Sequence, residues 1–315
     1  MNILISGGTG FIGSYLTSYL LERGYVLGLV GRNAPDWLHS KIDFYGCDVT
    51  EPQQIRLDKK YDIFIHLAAA NDIVSRNPDE ALRVTTLGTR TALDLCLKND
   101  TRRFMYFSTF QVYGADSGDI DEAHEIACKN DYALTHFFAE EYVRMYQRVH
   151  ALEYVIVRPT NIFGCPMHLG IKRWSLVPNC FCLDAFKHRK ITLASSGKQR
   201  RDFVSLHDVS RAAELICLNF DNIAGQVFNI ASGESQSIMW VASIVAKVYA
   251  QLFCQACPIE VQSAYPKKGE ALTISIEKLK ALGYAISSKH SMENEVEKIF
   301  ALLARHNPAE SHEKT

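Results

Sequence analysis

The 315-residue chain has no basic block, and its charges nearly cancel: 34 Lys and Arg stand against 35 Asp and Glu, for a net charge of −1. A nucleic-acid surface, which needs clustered cations, is thereby excluded as the main partner. The apolar start, Asn2-Ile3-Leu4-Ile5, lacks a basic region ahead of it and is broken at once by glycines, so it does not read as a secretion signal. No stretch reads as a membrane span. The longest other apolar one, Ser237–Cys254, carries Ser243, Lys247 and Gln251 and reads as a buried amphipathic helix. No second paired set of cysteines accompanies Cys254-x-x-Cys257 and Cys180-x-Cys182. The nine cysteines therefore read as reduced thiols of a cytoplasmic protein, with no metal site. Internal repeats are also missing. What remains is an ordinary globular composition, 47% hydrophobic and 22% charged, at a length that suggests about two domains.

The informative part is the first fourteen residues, MNILISGGTGFIGS. A short β-branched run fits a buried parallel strand. Gly7, Gly10 and Gly13 follow at intervals of three, and Phe11, Ile12, Tyr15, Leu16, Tyr19 and Leu20 then recur at helical spacing. Strand, glycine turn and helix in this order have a physical use. Gly7 permits a tight turn, Gly10 lets backbone approach a pyrophosphate, and Gly13 lets the helix pack against the sheet. The free N–H groups and positive end of the helix face the anion. Gly7, Gly10, Phe11, Ile12 and Gly13 are thus candidate dinucleotide contacts. Further strands are expected at Tyr25–Val30, Ile42–Tyr45, Asp62–His66, Arg103–Phe107 and Tyr154–Val157, with helical patterns between them. Where NAD-binding folds end their second strand in an acidic residue, this chain has Gly31-Arg32. No carboxylate repels a phosphate there and Arg32 can bind one, which favours NADP, with NAD as the alternative.

SGGTGFIGS resembles the opening of the short-chain dehydrogenase/reductases, and specifically their extended branch, the NAD-dependent epimerase/dehydratase family. The resemblance implies an α/β fold: a Rossmann-type doubly wound parallel sheet with a smaller mixed α/β substrate-binding domain. It extends over about residues 1–305. The dinucleotide-binding domain is expected at 1–164, with a return at about 203–233. The substrate domain is expected at 165–202 and 234–305, followed by a loose tail at 306–315.

Later motifs sharpen the resemblance. Asp48-Val49 resembles the family's adenine contact, and Leu67-Ala68-Ala69 leaves room for pyrophosphate and ribose. His66 reads as a core histidine. Thr85 replaces a usual asparagine in Val84-Thr85-Thr86-Leu87-Gly88-Thr89. Ser108-Thr109-Phe110-Gln111-Val112-Tyr113-Gly114 resembles the family's Ser-Ser/Thr-x-x-Val-Tyr-Gly. Thr109 matches the hydroxyl that bonds the reacting sugar oxygen. Dehydratases carry Asp-Glu where this chain has Phe110-Gln111, which argues against water elimination and leaves Phe110 and Gln111 as expected substrate contacts. Arg158-Pro159-Thr160-Asn161 places Pro159 beside the nicotinamide and Asn161 on the substrate. Ser175 stands for a phosphate-binding asparagine. Gly197-Lys198-Gln199-Arg200-Arg201-Asp202-Phe203 resembles the nucleotide clamp, with Arg201 on the diphosphate through its bidentate fork. Lys267 is expected to reinforce that grip.

The main departure is Tyr132-x-x-x-His136, where the family has Tyr-x-x-x-Lys. The two side chains share one helix face. In the family the tyrosine moves the proton and the lysine holds the nicotinamide ribose and lowers the tyrosine pKa. Lysine is charged at neutral pH, but an ordinary histidine is mostly neutral. Tyr132 is then a weak base but still a competent acid, which favours ketone reduction over alcohol oxidation. An alternative has His136 charged by Glu140, one turn on. The resemblance therefore implies a keto-sugar reductase first and a nucleotide-sugar 4-epimerase second, working as a dimer through paired helices that include the Tyr132 helix. A small-ketone reductase and a dinucleotide-binding regulatory protein with impaired chemistry remain open.

Overall fold

The computed structural model describes residues 1–51, 55, 57–171, 173–265 and 269–306. Its centre is a seven-stranded, wholly parallel sheet built from β1 (Asn2–Ser6), β2 (Val26–Gly31), β3 (Ile42–Gly46), β4 (Ile63–His66), β5 (Arg103–Phe107), β6 (Glu153–Pro159) and β7 (Gln226–Ile230). The order across the sheet is β7-β6-β5-β4-β1-β2-β3. The progression reverses between β1 and β4, so the crevice beyond their carboxyl ends is the switch point where such sheets take ligands.

The strand sequences explain the arrangement. Nearly every residue in them is apolar because both faces are covered. One set, including Ile3, Ile5, Leu27, Leu29, Ile65, Val155 and Val157, packs with Leu16 and Leu20 of α1 (Phe11–Glu22). Leu4, Phe64, Phe104 and Ile156 point the other way. They meet Leu93 and Cys96 of α2 (Gly88–Lys98), and Ala139 and Val143 of α3 (Asp131–His150). A separate cluster forms where α4 (Val177–His188), α6 (Ile238–Phe253) and α7 (Met292–His306) meet, around Phe186, Val245 and Phe300. Between them α5 (Leu206–Leu218) returns the chain to the α1 side of the main sheet.

Strand positions agree with the hydrophobic runs to within a residue or two. Tyr25–Val30 is displaced to Val26–Gly31, and Tyr154–Val157 lengthens to Glu153–Pro159. One feature has no signature in the pattern. Leu82–Leu87, just before α2, winds as a widened π-type turn, a form that recurs at functional sites. Its Thr85 Oγ1 accepts the Ala70 N–H at 3.0 Å, and Thr86 Oγ1 donates to the Thr135 carbonyl at 3.1 Å. The segment thus ties the loop after β4 to α3, fixing the walls of the crevice.

Candidate active site

The glycine turn packs backbone on backbone. Gly7 has φ +70°, and a Cβ there would lie 2.8 Å from the Ala68 nitrogen in the neighbouring loop. At Gly13 a Cβ would stand 2.1 Å from the Gly7 carbonyl oxygen. Gly10 differs: an added Cβ would meet only that same oxygen, at 3.2 Å. Gly10 also begins α1, where no side chain caps the first turn and no acidic residue sits in it. The open amides, the positive helix end and the bare backbone of Gly10 fit the pyrophosphate of a dinucleotide. The Phe11 side chain is buried in the core, so only its backbone faces the groove, while Ile12 is half-buried. Gly8 also packs tightly, 2.6 Å from Leu29 Cδ2 if it carried a Cβ. Its neighbour in space lies on β2, and nothing local in the sequence marks it.

Leu67, Ala68 and Ala69 line the switch point half-buried, and Pro159 is buried at the end of β6, opposite Ile230. Asp48 Oδ1 accepts from the Thr50 amide at 2.9 Å and the Thr50 hydroxyl at 2.7 Å. Those two bonds hold its carboxyl below the usual range, with Arg32 and Arg83 adding to the effect. Val49 packs beside Gly88. Arg32 is exposed beyond β2, and its charge acts on Asp48.

Thr109, Tyr132 and His136 come together. Asn130 starts the Tyr132 helix by accepting the Ala133 amide at 2.8 Å, a cap that Asn often provides. Burial dominates and raises the Tyr132 pKa, while the Thr109 hydroxyl acts in the opposite direction. The Tyr132 and His136 rings meet edge-on, 4.8 Å between centroids. His136 is buried and its Nδ1 is 2.8 Å from the Tyr106 hydroxyl. Its Nε2 has no partner among the described residues. Burial pushes its pKa down to about 4, so it is neutral at physiological pH.

Glu140 is held by partners other than His136. Glu140 accepts from Arg158 Nε at 2.9 Å and Nη2 at 2.6 Å, from Ser108 at 2.6 Å and from Arg144 at 2.9 Å. Burial opposes its charge, but the Arg158 bonds and these other partners outweigh it and hold the carboxyl ionised. Its negative charge reaches His136 too weakly to offset burial. His66 is a core histidine, as expected. Ser6 Oγ lies 2.6 Å from its Nδ1 and Thr89 Oγ1 3.2 Å from its Nε2, and burial pushes its pKa down to about 3.

Beyond Thr109, a cavity of about 270 Å³ is lined by Phe110, Gln111, Asn161 and Arg201, joined by Lys129 and Asp116. Four of the expected substrate residues therefore share one space. Asn161 Nδ2 donates to the Asp202 carbonyl at 3.0 Å. Asp116 stands between two cations, 3.1 Å from Lys129 Nζ and 3.5 Å from Arg201 Nη1. Asp202 itself is a buried organiser: its carboxylate accepts from Thr160, from Ser232 and from the Gly233 amide. Ser175 does not join the cavity and is exposed in the loop before α4. Lys267 lies outside the described residues. Among the described residues no cluster of His, Cys, Asp or Glu could hold a metal, and no helix is long and apolar enough to cross a membrane.

Residues 3–231 match the model of the NAD dependent epimerase/dehydratase family. The chain belongs to that family. It is 29% identical to a protein named "Putative UDP-glucose 4-epimerase" from Methanocaldococcus jannaschii, over 77% of this chain and 81% of the relative. It is 30% identical to UDP-glucuronic acid decarboxylase 1 of Danio rerio, over 79% of this chain but only 60% of the longer relative. The solved UDP-glucuronic acid 4-epimerase from Bacillus cereus in complex with NAD superposes with a TM-score of 0.81. That match covers 97% of this chain and 99% of the other at 22% identity, a likeness of fold. The seven-stranded doubly wound sheet is thus the family's architecture, and the solved neighbour holds NAD, which lends no support to a preference for NADP.

Proposed function

We propose that the chain is a dinucleotide-dependent enzyme of nucleotide-linked sugars that works chiefly by reducing a keto group. The observation that carries this is the neutral, buried His136 beside a Tyr132 whose pKa is raised. A tyrosine that keeps its proton at neutral pH can give it to a carbonyl oxygen becoming an alcohol. Taking a proton from an alcohol needs the tyrosinate, which this helix does not favour. Thr109, whose hydroxyl acts on the same phenol, would share the reacting oxygen. Arg201 and Asn161, in the cavity beyond, would hold the diphosphate side, and the lobe around Phe186 and Phe300 would complete the substrate site. Bound at the glycine turn, a reduced nicotinamide would supply the hydride. Phe110 and Gln111 offer no acid or base for dehydration.

The test is His136→Lys. An ammonium within reach of the phenol lowers its pKa by a unit or more, so alcohol oxidation should rise about tenfold relative to ketone reduction. Equal effects in both directions would overturn the directional reading. The M. jannaschii relative's name favours a second reading, 4-epimerisation, which would interconvert sugar nucleotides without net use of added dinucleotide. Shifts in melting temperature with UDP, dTDP, GDP and CDP separate both from reduction of a small ketone, which would give none. Absence of hydride exchange despite tight cofactor binding would point instead to a regulatory protein.

Two finer proposals accompany this reading. Arg32, at a strand end without a carboxylate, selects NADP; parallel fluorescence titrations should show tighter NADPH than NADH binding, and the reverse order retires the idea. Leu134, Phe138 and Val149 leave an apolar stripe on α3, with Leu87 nearby in sequence to α2. We assign that stripe to a homodimer contact. Light scattering should give twice the 35.5 kDa chain mass, and a monomer at micromolar concentration refutes it.

A further inference from the structure

His136 leaves one ring nitrogen unused. The ring is buried, its Nδ1 lies 2.8 Å from the Tyr106 hydroxyl, and its Nε2 has no hydrogen-bond partner among the described residues. A buried polar atom without a partner is uncommon and calls for an account. Tyr106, wholly buried on β5, stands between two histidines, with the His66 and His136 ring centroids each 6.0 Å from its own. A neutral imidazole donates from one nitrogen and accepts at the other. The direction of the Tyr106 bond therefore decides what Nε2 can do.

That direction follows from the hydrogens around it. Thr89 Oγ1 gives its one hydrogen to the Thr85 carbonyl at 2.6 Å, so toward His66 Nε2, 3.2 Å away, it can only accept. His66 therefore carries its proton on Nε2 and receives the Ser6 hydroxyl hydrogen on Nδ1, at 2.6 Å. Thr89 also acts on the Tyr106 hydroxyl, but its hydrogen is spent and its oxygen serves His66. His136 Nδ1 is then the acceptor for the Tyr106 hydrogen. A ring protonated at Nδ1 would strand that buried hydrogen. The pattern leaves Nε2 of His136 carrying the proton, as a donor with no acceptor of its own. The turn of α3 that holds it is tied to the crevice wall, because Thr86 donates to the carbonyl of the adjacent Thr135.

We propose that Tyr106 is a positioning residue: its hydroxyl donates to His136 Nδ1, fixes the ring in the Nε2–H form and reserves that N–H for an acceptor oxygen of the bound dinucleotide. The proposal rests on the dinucleotide reading of the crevice. A lysine at position 136 would need no such partner, since its ammonium carries three donors. A histidine needs one, because its single hydrogen can otherwise sit on either nitrogen. The edge-on contact with Tyr132, 4.8 Å between centroids, keeps the ring beside the reacting group.

The test reads the tautomer directly. The full chain is isotope-labelled in its histidine rings, and NMR reports which nitrogen of His136 and of His66 carries the proton. Both should carry it on Nε2. Tyr106→Phe, which removes one oxygen, should move His136 toward the Nδ1–H form and leave His66 unchanged. NADH and NADPH, followed by fluorescence, should each bind that variant about three- to tenfold more weakly, the worth of one hydrogen bond. In a His136→Leu background the same change should cost nothing further. A proton on Nδ1 of His136 in the unaltered chain overturns the proposal. So does equal weakening by Tyr106→Phe in both backgrounds, which would mean that the hydroxyl only supports the fold. If the unaltered chain binds neither NADH nor NADPH, the dinucleotide reading itself has failed. A wrong tautomer with binding intact fails this proposal alone.

Discussion

His136 and Glu140 lie one turn apart on the buried face of α3, 3% and 0% exposed, yet one is held neutral and the other ionised. Spacing alone would make them partners. The difference lies in what the neighbouring strands present. Next to His136, β5 offers the Tyr106 hydroxyl, which bonds one ring nitrogen equally well without any charge. Next to Glu140, β6 offers the Arg158 guanidinium, which grips both carboxylate oxygens. A buried ionisable group takes its charge state from the donors that face it across the sheet, and neighbours along its own helix count for less.

The comparison can be broken at its charged end with the largest effect. Arg158→Ala leaves Glu140 buried without its main partner and should cost about 3–5 kcal/mol in urea unfolding. Replacing both residues with apolar ones of similar volume should recover much of that loss, and failure to do so would mean that Arg158 acts elsewhere, for instance through the Tyr113 ring it overlies at 4.7 Å.

The neutral end is broken by acid. His136 titrates near 4 and His66 near 3 when folded, against about 6.5 when unfolded. The folded pKa values lie lower, so the stability is present above the unfolded value and is lost as the pH falls toward the folded one. Going from about pH 7 to about pH 5 should cost about 2 kcal/mol for each histidine. His136→Gln should make the urea midpoint less pH-dependent by one histidine's share; an unchanged slope would contradict a neutral His136.

The smallest effect sharpens the contrast. Arg144 is the outer partner of Glu140 and its side chain is 21% exposed, so Arg144→Ala should cost about 1 kcal/mol or less and matter less in high salt. A cost near that of Arg158→Ala would show that the carboxylate needs both guanidinium groups.

Much of the fold was legible because each central strand is a short apolar run bounded by polar or glycine turns. The turn at Gly7–Gly13 was legible because glycines report backbone geometry directly. The Glu140–Arg158 pair was not, since its members lie 18 residues apart on a helix and a strand, and no local pattern specifies their register. The same limit applies to Asp202. It lies in the segment that resembles the nucleotide clamp, but nothing in that motif shows that its carboxylate holds Ser232 and Gly233. The widened turn at Leu82–Leu87 was invisible because one extra residue per turn leaves no mark on hydrophobic spacing. Thr109, Tyr132 and His136 could be brought together from the motif, but the neutrality of His136 depends on burial.

The closeness of Gly13 to the Gly7 carbonyl, and of Gly7 to the Ala68 amide, bears on how this molecule can change over generations. An oversized side chain in a core can be accommodated when a neighbour shrinks. Here the obstacles are main-chain atoms, which every amino acid shares, so no second substitution nearby can make room. Positions 7 and 13 therefore stay glycine whatever side chain stands at position 68.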